Sequence, residues 1–220
     1  MNNRYELVIF DWDGTLMDST ARIVSSLQQS AISAGLKMPS EEEAKQVIGL
    51  GLYEGFAILF PDADKSDADR VAGHYRQEFV HRNTTAHNLF SGVLKWLEDT
   101  RRDQVLIAIA TGKSRAGLDR ELTKHSMHHH FVTTRCADEC FSKPHPQMII
   151  EILNETGMDP EQAIMVGNTT FDLDMAASAR VDGLGLTQGA HSKEKLLQSR
   201  PVAIVDSFSD AAEWLNERVV

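Results

Sequence analysis

Two carboxylates stand two residues apart at Asp11 and Asp13, directly after the apolar run Leu7-Val8-Ile9-Phe10. Alternate residues of an extended segment point the same way, so both acids can face one pocket. Neighbouring carboxylates repel, and a bound cation or a raised pKa on one of them relieves the repulsion. Such a pair can also divide its labour, one acid as nucleophile and the other as general acid and base. Asp-Gly by itself is a common turn, so the pair gains weight from three further groups. Thr111-Gly112-Lys113 offers a hydroxyl and backbone N–H groups at a helix start, which suits a phosphate and is also found in ordinary loops. Lys143 precedes Pro144-His145-Pro146; prolines stiffen the chain and can hold a lysine inward, whereas most lysines are solvated. Gly167-Asn168 is followed by Asp172, a further oxygen ligand for magnesium. Asp174 is assigned to the helix start, where the dipole favours an acid.

These groups need a scaffold that brings them together. Short apolar runs at 7–10, 105–110, 163–166, 183–186 and 202–205 read as buried strands. The second, third and fourth end at Thr111-Gly112-Lys113, Gly167-Asn168-Thr169-Thr170 and Thr187-Gln188-Gly189. Between the runs lie helical patterns. Leu94, Trp96 and Leu97 follow Ser91, and Leu118 with Leu122 follows Ser114, each serine being a suitable N-cap. Met148, Ile149, Ile152 and Leu153 precede Gly157, a C-terminal stop, and Met175, Ala176 and Ala179 follow Asp172. Ser207 and Asp210 suit a capping box before the last helix. Strands alternating with helices predict an α/β chain whose parallel sheet is covered on both faces, with ligands at the carboxyl ends of the strands. From about Ser19 to about Asn88 no strand is expected. Ile23, Leu27, Ala31 and Ala34, then Ala68, Val71, Tyr75 and Phe79, repeat at helical spacing. This predicts a small all-helical domain, residues 19–88, inserted after the first strand into a core of 1–18 and 89–220. Gly49-Leu50-Gly51 is either a loop of that insert reaching the pocket or a plain helix–helix turn.

The formal net charge of -10 disfavours nucleic acid and anionic membranes as partners. No apolar run approaches the ~18 residues of a membrane span, and the start of the chain lacks the basic and cleavage features of a signal peptide. Cys136 and Cys140 match no common zinc spacing and read as reduced thiols of a cytoplasmic protein. His128, His129 and His130 are adjacent, so they cannot all face one point, and they read as a polar surface segment.

Asp11-Trp12-Asp13-Gly14-Thr15-Leu16 resembles the first motif of the haloacid dehalogenase-like hydrolase superfamily. Thr111-Gly112, Lys143-Pro144-His145-Pro146 and Gly167 to Asp172 resemble its second, third and fourth motifs, in order and across nearly the whole chain. The subgroup resembled is the phosphoglycolate phosphatase-like one, with a Rossmann-like core and a helical cap. The resemblance implies a magnesium-dependent phosphatase of small phosphorylated metabolites. Asp11 would attack phosphorus, and Asp13 would protonate the leaving oxygen and then activate water. Gly14, Thr15, Thr111, Gly112 and Lys143 would hold the phosphate with Asp11. Mg2+ would lie against Asp11, Asp13, Asn168 and Asp172. Dehalogenases of the superfamily usually lack an acid at position 13, which disfavours that reaction. A phosphosugar mutase remains compatible with the motifs. The family usually has Asp where this chain has Asn168, so a weakened metal site and a noncatalytic binding protein are alternatives to full activity. Lys113 and Arg115 either touch an anionic leaving group or are solvated. A monomer or weak homodimer is expected.

Overall fold

The computed structural model describes residues 5–102 and 105–219; the first four residues, part of the start searched for a signal peptide, lie outside them. Strand β1 (Leu7–Phe10) leads through a two-residue strand β2 (Met17–Asp18) into four helices: α1 (Thr20–Ser33), α2 (Glu41–Gln46), α3 (Leu52–Leu59) and α4 (Lys65–Gln77). A π-helical turn, Glu78–Arg82, follows, and β3 (Asn88–Leu89) returns antiparallel to β2, pairing Met17 with Leu89 and Asp18 with Asn88. The chain then runs α5 (Val93–Arg102), β4 (Leu106–Thr111), α6 (Arg115–Lys124), β5 (Thr133–Cys136), α7 (Gln147–Thr156), β6 (Ala163–Gly167), α8 (Thr170–Ser178), β7 (Asp182–Leu186), α9 (Lys193–Leu196), β8 (Ala203–Val205) and α10 (Phe208–Asn216).

Six strands form one parallel sheet in the order β5-β4-β1-β6-β7-β8. The side-chain alternation of β1 explains its continuous apolar run. Val8 and Phe10 join an apolar cluster with Trp96, Leu97 and Phe208, while Leu7 and Ile9 join one with Met148, Ile149 and Ile152. A strand buried on both faces has no polar positions to spare. The two-residue β2–β3 ladder brings the ends of the insert together beside the strand ends. The insert has its own apolar cluster around Leu27, Val47, Phe56, Val71 and Phe79. Its helices start on local chemistry: Ser40 with Glu43, and Asp64 with Asp67, form reciprocal capping boxes.

The expected strands all appear within a residue or two of their predicted bounds. Strand β5 has no counterpart among the expected strands, because Thr133-Thr134-Arg135-Cys136 is a mostly polar edge segment held by its pairing with β4. Ser114 caps α6 through the Gly117 N–H at 3.3 Å, and Gly157 ends α7 at φ +71°. The residue directly before α5 is Gly92, at φ +87°, and Ser91 stands one position further out than an N-cap. His130 is buried rather than part of an exposed histidine run, because the segment closes into a tight 3-10 turn.

Candidate active site

The segment after β1 is a folded loop. The Asp11 N–H continues the ladder to the Val166 carbonyl at 3.0 Å. Trp12 turns into the core, edge-on to Phe131, and its carbonyl accepts from the N–H groups of Thr15, Leu16 and Met17. That inward anchor sends Asp11 and Asp13 to the opposite side, into a cavity of about 280 Å³. Gly14 takes φ +80°, and a Cβ there would come within 2.3 Å of the Asn168 amide. The close approach of β1's loop to β6's loop thus requires glycine. Its N–H is committed to Met17 O at 2.7 Å, and that of Thr15 to Trp12 O at 3.3 Å. Both N–H groups are thus engaged within the loop itself.

Lys143 lies at the centre of a buried ion chain. Its Nζ donates to Asp11 Oδ1 at 2.7 Å and to Asp172 Oδ1 at 2.6 Å, and all three residues are at most 2% exposed. Asp172 Oδ2 accepts from the N–H and hydroxyl of Thr169, at 3.0 and 2.7 Å. Asp172, read from the sequence as a further oxygen ligand for magnesium, thus has both oxygens engaged by protein donors. Thr169 caps α8, and Asp172 is the acid in its first turn, the place at the helix start that the sequence reading gives to Asp174, which lies beyond that turn. Burial pushes the Asp11 carboxyl up to about 7, although Lys143 pulls it down. Burial also works against the Lys143 ammonium, yet its two carboxylates hold its pKa above the usual value.

Asn168 is fully buried between these groups. The inward-facing atom of its amide lies 3.3 Å from Asp11 Oδ2 and 3.0 Å from the Asp13 carbonyl oxygen. Adjacent ligands of a magnesium octahedron, with bonds of about 2.1 Å, stand about 3 Å apart. An amide oxygen in that place would stand at about that spacing from both the Asp11 carboxylate and the Asp13 carbonyl. Only one of the three is a carboxylate. Among the described residues, no cluster of three or more Asp, Glu, His or Cys side chains gathers for a metal.

The sequence model of the haloacid dehalogenase-like hydrolases matches residues 8–186. This chain belongs to that family. The phosphoglycolate phosphatase of Agrobacterium fabrum is 27% identical to it, over 97% of this chain and 94% of its own. IndB of Dickeya dadantii, described as a probable phosphatase, is 31% identical over 93% of this chain and 90% of its own. These full-length relatives place the chain among the family's phosphatases. A crystal structure of a hydrolase from Pseudomonas syringae shares the fold, with a TM-score of 0.87, 18% identity and 98% coverage of both chains.

In this family member the remaining predicted residues distribute as follows. Thr111, at the end of β4, is buried and lines the cavity, and its hydroxyl accepts from the Lys113 N–H at 3.2 Å. Gly112 abuts the insert: a Cβ would stand 2.5 Å from both the Gly49 and Leu50 carbonyl oxygens. Gly49-Leu50-Gly51 therefore does reach the pocket, and the Gly51 N–H also donates to Ser142 at 2.8 Å. Lys113 is neither free nor solvated. Its Nζ grips both Asp13 oxygens, at 3.0 and 2.9 Å, and lies 4.8 Å from the Phe79 ring centroid of the insert. Arg115 is directed away, to Glu139 and Thr134.

Sequence reading missed three supports of the site. Ser19 donates to Asp13 Oδ1 at 2.6 Å. Gln188 donates to the Thr15 carbonyl at 3.0 Å and accepts from the Phe208 N–H at 2.8 Å. His191 accepts from the Thr170 N–H at 3.0 Å through Nδ1. The signal for the last two was the strand end at Thr187-Gln188-Gly189, where ligand-side loops of such sheets lie.

Burial, and secondarily Lys195, lowers the His191 imidazole to about 4 from 6.5. A base depressed on folding stabilises the native state above its unfolded pKa and loses that contribution as pH falls through the folded one. Stability should therefore decline from about pH 6.5 towards pH 4, and His191→Gln should flatten that decline. Melting temperatures across this range test it; parallel curves for the two proteins would exclude His191 as the cause.

Proposed function

We propose that the chain is a magnesium-dependent phosphatase that hydrolyses a small phosphate monoester through a phospho-aspartate at Asp11. The observation that carries this reading is the buried Asp11–Lys143–Asp172 chain beside Asp13 at the floor of a cavity roofed by the helical insert. Asp11 attacks phosphorus, the ester P–O bond breaks, and Asp13 gives its proton to the leaving alkoxide. Asp13 then takes a proton from water as that water attacks the phospho-aspartate, releasing inorganic phosphate and restoring Asp11. Thr111 and the Gly112 N–H hold the phosphate oxygens, and Lys143 offsets the charge gathered around Asp11. Asp172 positions Lys143. Asp11, the Asp13 carbonyl and the Asn168 amide oxygen would hold the magnesium, which supplies further charge neutralisation to the transferring phosphoryl group. Residues 19–88 act as the cap, excluding water and reading the leaving group.

The cap side of the cavity favours an apolar leaving group. Its wall includes Ile23, Leu27, Ile48, Leu52, Phe56 and Phe79, while Lys113 is already neutralised by Asp13. The remaining cavity-lining cations, Arg76 and Arg120, are exposed to solvent. A compact anion such as the carboxylate of phosphoglycolate would be poorly served there, whereas an alkyl or aryl group would gain from burial.

The test is phosphate release in saturating magnesium from phosphoglycolate, a sugar phosphate, p-nitrophenyl phosphate and a short-chain alkyl phosphate. The aryl and alkyl esters should give kcat/KM at least about tenfold above phosphoglycolate, one such step being ~1.4 kcal/mol. Preference for phosphoglycolate would overturn the leaving-group assignment. No release from any ester would overturn the phosphatase reading.

A further inference from the structure

Asn168 has two ways to sit in its slot, and the surrounding atoms choose between them. The amide group is planar and nearly symmetric in shape, so its orientation follows from its hydrogen-bond partners. With Nδ2 inward it donates towards Asp11 Oδ2 at 3.3 Å, the Asp13 carbonyl at 3.0 Å and Thr15 Oγ1 at 3.0 Å, and Oδ1 accepts from the Ala190 N–H at 2.9 Å. With Oδ1 inward only the Thr15 hydroxyl bonds it, at 3.0 Å. Two acceptors then face the amide oxygen, and the Ala190 N–H faces the amide nitrogen. The residue is fully buried, and leaving such groups unpaired away from water is costly.

We propose that the Asn168 amide nitrogen serves as a built-in substitute for the metal ion. It supplies hydrogen bonds to the Asp11 and Asp13 oxygens that a cation would otherwise draw together. An aspartate at 168 has no such donor. Without metal it would set a third acceptor against Asp11 Oδ2 and the Asp13 carbonyl, and those atoms would stay strained until a cation arrived. Asn168 thus stabilises the metal-free protein and weakens cation binding at once. Before its oxygen can face a cation, the amide must give up its inward bonds and its bond to Ala190. The magnesium identity of the cation rests on the phosphatase reading above; the competition between amide and cation does not.

The space around Asn168 enforces this arrangement. A Cβ at Gly14 would come within 2.3 Å of the amide, and one at Gly189 within 2.1 Å. The side chain is clamped between two glycine backbones and can exchange its ends only by rotating in place.

The test compares the unsubstituted protein with Asn168→Asp by calorimetric titration with Mg2+ and Mn2+ and by melting temperature with and without metal. Asn168→Asp should bind either ion roughly ten- to hundredfold more tightly, as expected from one or two unmade hydrogen bonds. Metal-free, it should melt below the unsubstituted protein, and saturating magnesium should reverse that order. Equal affinity, or a metal-free Asn168→Asp that melts at or above the unsubstituted protein, would overturn the proposal. Where Asn168→Asp does not fold without metal, NMR of the unsubstituted protein decides. The Asn168 side-chain N–H pair, assigned by its loss in Asn168→Ala, should exchange slowly without metal and faster at saturating magnesium; rapid exchange without metal would overturn the proposal. These readouts do not involve turnover. Loss of the phosphatase reading would leave both proteins inactive on phosphate esters with the affinity difference intact.

Discussion

Asp11→Asn is expected to abolish turnover, lowering kcat by on the order of 10⁴-fold or more, as removal of a covalent nucleophile does. The amide keeps the shape of the carboxylate, so the loop and the ion chain behind it persist, and Lys143 retains Asp172 at 2.6 Å. The variant should therefore separate chemistry from folding. Burial raises the Asp11 carboxyl to about 7 from 3.8. A carboxyl raised on folding favours the native state at low pH and withdraws that contribution as pH rises from its unfolded to its folded pKa. At pH 8 the metal-free protein bears the whole cost of an ionised Asp11, and Asp11→Asn does not. The variant should then melt no lower than the unsubstituted protein at pH 8. A quenched reaction with a labelled ester should leave phosphate on the unsubstituted protein and none on the variant. More than about one hundredth of the original rate in Asp11→Asn would place the nucleophile elsewhere.

How far the sequence reveals this site depends on whether a residue's role is local. Asp11 and Asp13 announce themselves because a buried strand ending in acids needs no knowledge of distant chain. The strand ends at Thr111 and Gly167 are legible for the same reason, and Gly157 and Ser114 are legible as helix punctuation. Lys113 is different. Its spacing beside Thr111-Gly112 suggests a solvated helix start, and only the closure of β1 against β4 brings its ammonium onto Asp13. Asp172 likewise has the composition of a metal ligand, but its place as third residue of α8 commits one oxygen to Thr169 and leaves the other to Lys143. Strand β5 escapes because an edge segment of Thr, Thr, Arg and Cys takes its identity from its neighbour rather than from its own pattern. His191 and Gln188 act through backbone groups of other loops, so the strand end at Thr187-Gln188-Gly189 marks their neighbourhood but not their partners.

Lys143→Met is expected to cost the most stability of any single change at this site. The methionine fills the volume of the lysine stem but leaves the Asp11 and Asp172 carboxylates facing each other without a cation, in a place sealed from water. Removing one partner of a buried ion pair costs about 3–5 kcal/mol, because the remaining charge keeps its desolvation penalty. For a chain of this size that corresponds to a melting temperature lower by about 10 °C. The pH dependence gives the cause away. Without Lys143 the Asp11 carboxyl, already raised by burial, loses the charge that pulls it down, so its protonation relieves the variant and the deficit should shrink as pH falls from 8 to 5. Lys143→Met with Asp172→Asn removes one of the two stranded charges and should recover part of the loss, a coupling that a double-mutant cycle measures directly. Activity should not return with stability in that double variant, since nothing then offsets the charge on Asp11 during phosphoryl transfer. A Lys143→Met protein that melts with the unsubstituted chain at pH 8, or whose deficit widens in acid, would mean that the ion chain does not govern the stability of this site.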